Sequence, residues 1–465
     1  MNFWLREAAR KNSEKEAVIY KNQTLTYKEL LRDVFILARK LPKINRVGVF
    51  LDNSLESVVL IHSLIERGIQ IVIINTRLSE KEIKKQLEDV SVDTLITTIE
   101  TDFFDDSKVK VIKYKDILSR VEKEYELADY PSVNNTILSI MFTSGTTGRA
   151  KAVAQSFRNH YASHINATNG LQYDSYSKWL MINPIFHISG FSIVMRAVIS
   201  QCTLIIHNKF REVDVLQDIE KYQVTHTSFV PLMLSRLMQH PLLKKTDTSS
   251  LKAVLMGGAN TTPKLLEDAL RVKLPVFNSF GMTETCSQIV MIPYTDPMIL
   301  SSAVGRIHRG IKVTESGELL VRGDNVASNY LNAEMEKVGD YFNTGDIAKV
   351  EAGYLYILDR RQDLIISGGE NIYPKEIEEA ISKFIGHREC VVVKRKDREW
   401  GEVPVLLIEG TVDATILDSI KLNLNSVLAK YKHPKAILFV EKILHTDSGK
   451  VSRRLNQEAY IKEKN

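Results

Sequence analysis

Apolar residues recur at two periods along residues 17–100, and the two periods alternate. Leu30, Leu31, Val34, Phe35, Ala38 and Leu41 fall at spacings of three and four behind Thr26-Tyr27-Lys28-Glu29. A hydroxyl and a carboxylate three positions apart form a capping box, so a helix is predicted to open there. Short β-branched runs predict strands at 47–51 and 69–74, with a helix over 55–66 between them; Ser79-Glu80-Lys81-Glu82 opens another helix. Strands alternating with helices are βαβ units, which predicts an α/β fold with mostly parallel, doubly covered sheets.

Over 105–133 the pattern weakens and charge rises, as in a solvated connection. An apolar β-type run at 137–142 follows, and further strands are predicted at 179–182, 203–206, 226–230, 253–256 and 276–278. From 304 to 358 short strands and Gly-centred turns predict a small all-β unit. The charge cluster Asp359-Arg360-Arg361-Gln362-Asp363 reads as an exposed boundary, dividing a large N-terminal domain, 1–361, from a small α+β domain, 362–465. Beyond a strand at 364–367, Pro374 sits where a first helical residue would. Ile377, Ala380, Ile381 and Phe384 form one helical face; Leu417, Ile420, Leu424, Val427, Leu428 and Tyr431 form another.

Composition narrows the class. A chain of 465 residues is too long for one core. Its 62 basic and 57 acidic residues leave a net charge of +5, too slight and too scattered for a nucleic-acid partner. Cys202, Cys286 and Cys390 lie far apart, without metal-site or disulfide spacing. No run approaches the ~20 apolar residues of a membrane span, and the N-terminus has no uninterrupted apolar core. A cytoplasmic enzyme is expected, with a homo-oligomer left open.

The chemistry concentrates in a few stretches. Thr143-Ser144-Gly145-Thr146-Thr147-Gly148-Arg149-Ala150-Lys151 follows the 137–142 run. Backbone N–H groups reach phosphate oxygens where no Cβ intrudes, hydroxyls add donors, and Arg149 and Lys151 supply charge. A polyphosphate would suit these residues, although the usual P-loop spacing is missed, and a polar turn between strands is the plain alternative. Downstream of Gly257-Gly258-Ala259 comes Phe280-Gly281-Met282-Thr283-Glu284: a ring for stacking, a glycine turn, a hydroxyl and a carboxylate, suiting a purine beside phosphate-bound Mg²⁺. From this motif alone, a strand-loop junction capped by Thr283 is the better reading. In Thr344-Gly345-Asp346 a carboxylate in a tight turn could accept both ribose hydroxyls, or only bond its own backbone. Ser448-Gly449-Lys450 alone is an ordinary solvated turn.

In this order the stretches resemble the adenylate-forming superfamily of acyl-CoA synthetases, peptide-synthetase adenylation domains and beetle luciferases. The resemblance covers almost the whole chain. It rests on residues 143–151 and 280–284, Thr344-Gly345-Asp346, Asp359-Arg360-x-x-Asp363, Gly368-Gly369-Glu370-Asn371-Ile372-Tyr373-Pro374 with Glu376-Ile377-Glu378, Trp400-Gly401-Glu402-Val403-Pro404, and Gly449-Lys450. It implies a two-step reaction using ATP, Mg²⁺ and coenzyme A: an acid becomes an acyl-adenylate with loss of pyrophosphate, and the coenzyme A thiol then displaces AMP.

The resemblance also implies roles. Thr143, Ser144, Gly145, Thr146, Thr147, Gly148 and Lys151 would hold the leaving phosphates, Thr283 the α-phosphate and Glu284 the Mg²⁺. Adenine would lie between Phe280-Gly281 and Gly257-Gly258-Ala259, and the ribose on Asp346 and Arg360. Lys450 would pair with charge at the reacting oxygens, and Gly368-Gly369 would line the pantetheine path after the small domain rotates about a hinge near Gln362. Three departures stand out: Phe280 where the family more often has Tyr, Gln362 at the hinge, and Leu444-His445-Thr446 before the lysine turn.

Pro184-Ile185-Phe186-His187-Ile188-Ser189-Gly190 resembles the family's acyl-pocket segment, which makes His187, with Thr283 and Lys450, a catalytic candidate and Ser189 a substrate contact. If the following residues are helical, Ser189, Ser192, Arg196 and Ser200 form a polar stripe on an apolar helix. An Arg snorkelling to the surface is the plain alternative. A buried Arg must be paired, and a second carboxylate on the substrate would pair it. Together with Ile366-Ser367 and the short N-terminus, this segment resembles superfamily members whose substrate is an aromatic diacid. A different aryl or medium-chain acyl-CoA ligase, or a non-catalytic nucleotide-binding regulator, would share the fold.

Overall fold

The computed structural model describes residues 4–100, 109–122, 135–143, 150–259, 261–360, 363–367, 370–397, 400–428, 430–446 and 449–461. By internal contacts the chain divides into two units, residues 1–305 with 322–342, and residues 306–321 with 343–465.

The first unit holds two sheets. One runs in the order Ser287–Pro293, Val276–Met282, Ala253–Met256, His226–Phe229, Lys178–Met181, Thr203–Ile206, Glu16–Tyr20, Gln23–Thr26. Its pairings are parallel except at the two edges. The other runs Asn329–Tyr330, Lys151–Ser156, Ile137–Thr143, Gln70–Ile74, Arg46–Phe50, Thr94–Thr97, Lys110–Lys113; its first two pairings are antiparallel and the rest parallel. One hydrophobic cluster joins both sheets, through residues such as Val49, Ile71 and Met141 on one and Val18, Trp179 and Leu204 on the other. The helix Leu55–Glu66 contributes Val58, Leu60, Ile61 and Leu64 to that cluster and is buried from Ser57 onward. Burial of Ser57, His62 and Ser63 along with the apolar residues is that of a helix covered on all sides.

Local signals placed the elements well. Thr26 and Ser79 both make complete capping boxes, with Glu29 and Glu82. The predicted strand at 226–230 ends one residue early because Pro231 starts the next helix. The strand predicted at 276–278 continues to Met282, held by antiparallel pairing with Ser287–Pro293.

In the second unit, Ile311–Val313, Glu318–Val321, Tyr341–Glu351 and Tyr354–Arg360 form a sheet in the order Tyr354–Arg360, Tyr341–Glu351, Glu318–Val321, Ile311–Val313. A further sheet of Glu370–Ile372, Ile365–Ser367, Gly401–Glu409, Cys390–Asp397 and Ala436–Val440 packs its apolar residues with helices Pro374–Ser382 and Ala414–Val427. Pro374 does occupy the first turn of its helix. The helix of the second predicted face ends at Val427, and Tyr431 falls in the short 3₁₀ turn Lys430–Lys432.

Within the charge cluster after Tyr354, Asp359 is buried where composition suggested exposure. Asp359 is only 6% exposed. Its carboxylate accepts from the Lys375 backbone N–H at 3.0 Å, and Arg453 lies 3.6 Å away. Arg453 also pairs with Glu378 and, at 3.5 Å, with Asp363. A charge that finds partners can be buried, and composition alone does not reveal the partners. Arg361 and Gln362 lie outside the described residues.

Candidate active site

Thr143 ends the strand Ile137–Thr143 and pairs with Lys151 at the start of the antiparallel return strand. Residues 144–149, which include Ser144, Gly145, Thr146, Thr147, Gly148 and Arg149, lie outside the described residues. The residues that follow this segment are fixed from outside the hairpin. Asn332 Nδ2 donates to the Ala150 carbonyl and its Oδ1 accepts from the Ala152 N–H, both at 2.8 Å. The Lys151 ammonium sits 5.1 Å from the centroid of the Tyr330 ring.

Glu284 is brought to the same place by the turn Thr283–Thr285, which follows the strand Val276–Met282. It is 5% exposed, and its Oε1 accepts from the Tyr330 hydroxyl at 2.8 Å and from Thr143 Oγ1 at 3.5 Å. Gln155 Nε2 donates to the Thr283 carbonyl at 2.8 Å. Thr283 is not the local cap; Thr285 does that work, with its Oγ1 accepting from the Met282 N–H at 2.9 Å. Directly after the turn, Cys286 and Ser287 both adopt positive φ, 53° and 106°. Two adjacent side-chain-bearing residues in that region mark a backbone held by its surroundings, as at many functional sites.

Beneath this turn lies a buried neutral chain. Ser139 Oγ donates to Gln155 Oε1 at 2.8 Å, and His160 bridges Ser139 Oγ at 2.8 Å and Cys286 Sγ at 3.2 Å. Burial, reinforced by Arg196, holds the His160 pKa down to about 3. The ring is therefore neutral, donating from one nitrogen and accepting at the other.

Parallel strand ends bring the adenine candidates together. Met256 lies beside Asn278, and Ser279 Oγ donates to the Met256 carbonyl at 2.7 Å. Gly257, Gly258 and Ala259 thus leave one strand where Phe280 and Gly281 continue the next. Side chains are excluded at Gly281, where a Cβ would lie 2.2 Å from the Ser287 carbonyl oxygen. Ligands of open α/β sheets gather at such carboxyl ends.

His187 is the N-cap of helix Ile188–Ser200, and Phe186 packs on it with ring centroids 4.7 Å apart. The turn before it is clamped by Asn53. That buried amide donates to the carbonyls of Asn183 and His207 at 3.0 Å and accepts from the Ile185 N–H at 2.9 Å. Ser189 is half-buried on the first turn of the same helix. Arg196 is 2% exposed, so the snorkelling alternative is overturned. Its Nη2 donates to Ser163 Oγ at 3.1 Å and to Gln288 Oε1 at 2.8 Å, and no described carboxylate pairs with it. Burial pulls its pKa below the ordinary value, with Tyr173 and Cys286 opposing. Ser200 returns its hydroxyl to the Arg196 carbonyl at 2.6 Å.

In the second unit Asp346 lies within the strand Tyr341–Glu351, not in the tight turn expected. The Asx-type bond belongs to Asn343, whose Oδ1 accepts from the Gly345 N–H at 3.0 Å. Asp346 is 3% exposed, cross-strand from Arg360, with Arg360 Nε 2.7 Å from its Oδ1. The exposed Lys450 occupies a hairpin closed by Thr446 N–H to the Lys450 carbonyl at 2.6 Å and by the bridge of His445 to Val451. Gly368 and Gly369 lie outside the described residues. Asn53, Gln155, His160, Tyr330 and Asn332 went unnoticed in the sequence; all act across long chain separations, which leave no local periodic signal.

These features define a class. The chain belongs to the family of AMP-binding enzymes: the family model matches residues 5–331, and the model of the AMP-binding enzyme C-terminal domain matches 376–450. Within that family it is 39% identical, over 98% of its own length and 97% of the relative's, to a 2-succinylbenzoate–CoA ligase of Staphylococcus epidermidis. It is similar in structure to o-succinylbenzoate CoA synthetase from Bacillus subtilis in complex with its acyl-adenylate intermediate, at TM-score 0.90 and 32% identity, covering 100% of this chain and 99% of that one. The same Bacillus subtilis enzyme in complex with ATP and magnesium ion matches at TM-score 0.87 and 32% identity, covering 97% and 98%.

Proposed function

We propose that this chain ligates 2-succinylbenzoate, the aromatic diacid of menaquinone synthesis, to coenzyme A in the cytoplasm. A carboxylate oxygen of the acid attacks the α-phosphorus of ATP, and the bond to the bridging oxygen breaks to release pyrophosphate. The coenzyme A sulfur then attacks the acyl carbon, the C–O bond to AMP breaks, and the thiol proton is lost. No protein nucleophile is needed, so the chain's work is positioning and charge stabilisation.

Lys151 and the 143–148 hydroxyls and glycines are assigned to the leaving phosphates and Thr283 to the α-phosphate. Glu284 fits Mg²⁺: it is a buried carboxylate with one polar face already satisfied, and Mg²⁺ commonly takes one or two carboxylates plus substrate phosphates. Bound there, the ion would neutralise charge on the phosphates. Phe280 and 257–259 are assigned to adenine, Asp346 and Arg360 to ribose, His187 and Ser189 to the acid, Lys450 to the reacting oxygens and Gly368-Gly369 to the pantetheine path. The segment 362–465 is assigned as a mobile small domain carrying Lys450.

One observation carries the diacid: Arg196 is a fully desolvated cation whose hydrogen-bond partners, Ser163 and Gln288, are both neutral. A substrate carboxylate that is not activated would complete the pair. The test is acid-dependent AMP production with 2-succinylbenzoate beside benzoate and octanoate. The diacid should dominate; equal or faster turnover of either monoacid would overturn the assignment.

A further inference from the structure

Tyr330 touches both charged groups assigned to the phosphate end of the site. Its hydroxyl donates to Glu284 Oε1 at 2.8 Å, and its ring lies 5.1 Å from the Lys151 ammonium. A carboxylate and an ammonium of opposite role are thus referred to one rigid side chain. We propose that Tyr330 is a positioning residue for both: its hydroxyl orients the metal-binding carboxylate, and its ring holds the phosphate-binding lysine. The proposal rests on the assignment of Glu284 and Lys151 made above.

The side chain is well placed for this work because its backbone is paired with the neighbouring strand. Tyr330 pairs with Val153 and Asn329 with Ala154 on the strand Lys151–Ser156, and the Leu331 N–H donates to the Ala152 carbonyl at 2.9 Å. Asn332 then clasps Ala150 and Ala152. The ring packs with Val153 and Ala327. Residues 329–332 therefore form a strap laid along residues 150–154. Lys151 approaches the π-face, where the ring quadrupole attracts a cation.

The carboxylate end follows from hydrogen-bond accounting. Among the described residues both hydroxyl donors to Glu284, Tyr330 and Thr143, reach the same oxygen, Oε1. A carboxylate with donors on one oxygen is fixed in rotation and presents the other to an electrophile. Partners of this kind around metal ligands commonly change metal affinity by about 10- to 100-fold when removed.

The experiment measures ATP binding to the full chain by calorimetry over a Mg²⁺ titration, for the parent, Tyr330→Phe, Tyr330→Leu and Glu284→Gln. Tyr330→Phe keeps the ring and removes the hydroxyl, so the Mg²⁺ concentration giving half-maximal ATP binding should rise about tenfold, with excess Mg²⁺ restoring the binding. Tyr330→Leu should show that same rise and, in addition, weaken ATP binding without Mg²⁺, because the surface under Lys151 is gone. An unchanged Mg²⁺ requirement in Tyr330→Phe, beside a raised one in Glu284→Gln, would overturn the proposal while leaving the assignment of Glu284 intact. No shift in Glu284→Gln would overturn that assignment and the proposal with it. A Tyr330→Phe defect that no Mg²⁺ concentration restores would show a merely structural role, again overturning the proposal. Tyr330→Leu behaving like Tyr330→Phe would overturn its lysine half.

Discussion

Arg196, on a helix buried from Gly190 to Val198, donates at 2.8 Å to the side-chain oxygen of Gln288 on the strand Ser287–Pro293. An amide oxygen offers a dipole where a desolvated guanidinium calls for a full charge. His160 and His164, kept neutral by burial and by Arg196 with pKa values of about 3 and about 4, add no further positive charge beside it. The guanidinium is therefore held by dipoles alone among the described residues.

Arg196→Met keeps length and apolar contact while removing the charge. Efficiency toward 2-succinylbenzoate should fall by about 2 to 4 kcal/mol, the range for truncating one partner of a desolvated charge pair. Toward a monoacid of similar shape it should change little or improve, because no buried cation then lacks a partner. Parallel changes in kcat/KM for the two acids would refute the role given to Arg196.

Asp346→Ala should weaken ATP and AMP alike while leaving the response to acid concentration nearly unchanged. The carboxylate is buried, but its cation is not: the Arg360 side chain is 41% exposed and can return to water. Folding should therefore survive the loss. Calorimetric titration with both nucleotides checks this, and normal affinities would make Asp346 a strand residue held by Arg360 and nothing more.

Lys450→Ala should lose acyl-adenylate formation by about 10²-fold or more, the scale for removing one transition-state charge partner. Thioester formation from supplied acyl-adenylate should suffer far less, since the rotated small domain would carry Lys450 away. Single-turnover assays of each half-reaction separate the cases; equal losses would contradict two working orientations.

Asp363 supplies a pH dependence whose sign follows from its burial. Desolvation, opposed by Arg453 and aided by Asp359, raises its pKa from 3.8 to about 6. The folded protein then holds a proton that the unfolded chain has released, so this group destabilises the fold above about pH 6. The penalty fades as pH falls toward about 4. Asp363→Asn should melt at a higher temperature than the parent at about pH 7.5 and converge with it by about pH 4. A lower Tm for Asp363→Asn than for the parent at about pH 7.5 would show that the Arg453 contact outweighs desolvation.

Much of the frame was legible from local chemistry. The helix Leu55–Glu66 and the strands Thr203–Ile206 and Ala253–Met256 occur at the predicted residues. Burial on one face or all round imposes a hydrophobic period that the chain must write into its own sequence. The opening of the helix at Tyr27 was equally readable, since a capping box is complete within four residues. Two signals misled. A dense charge run suggested an exposed linker where Asp359 is buried, and a glycine before Asp346 suggested a turn inside what is a strand.

The sequence by itself determined the alternation of strands and helices and the order of nucleotide-binding motifs, because both are properties of neighbours along the chain. Tertiary structure decided what those motifs are held by. The pairing of Tyr330 with Glu284, the clasp of Asn332 around 150–152, the grip of Asn53 on the turn before His187 and the neutral company of Arg196 join residues separated by 33 to 182 positions. Such contacts form only when the sheets assemble, and a hydrogen bond across that distance leaves no period for the sequence to show.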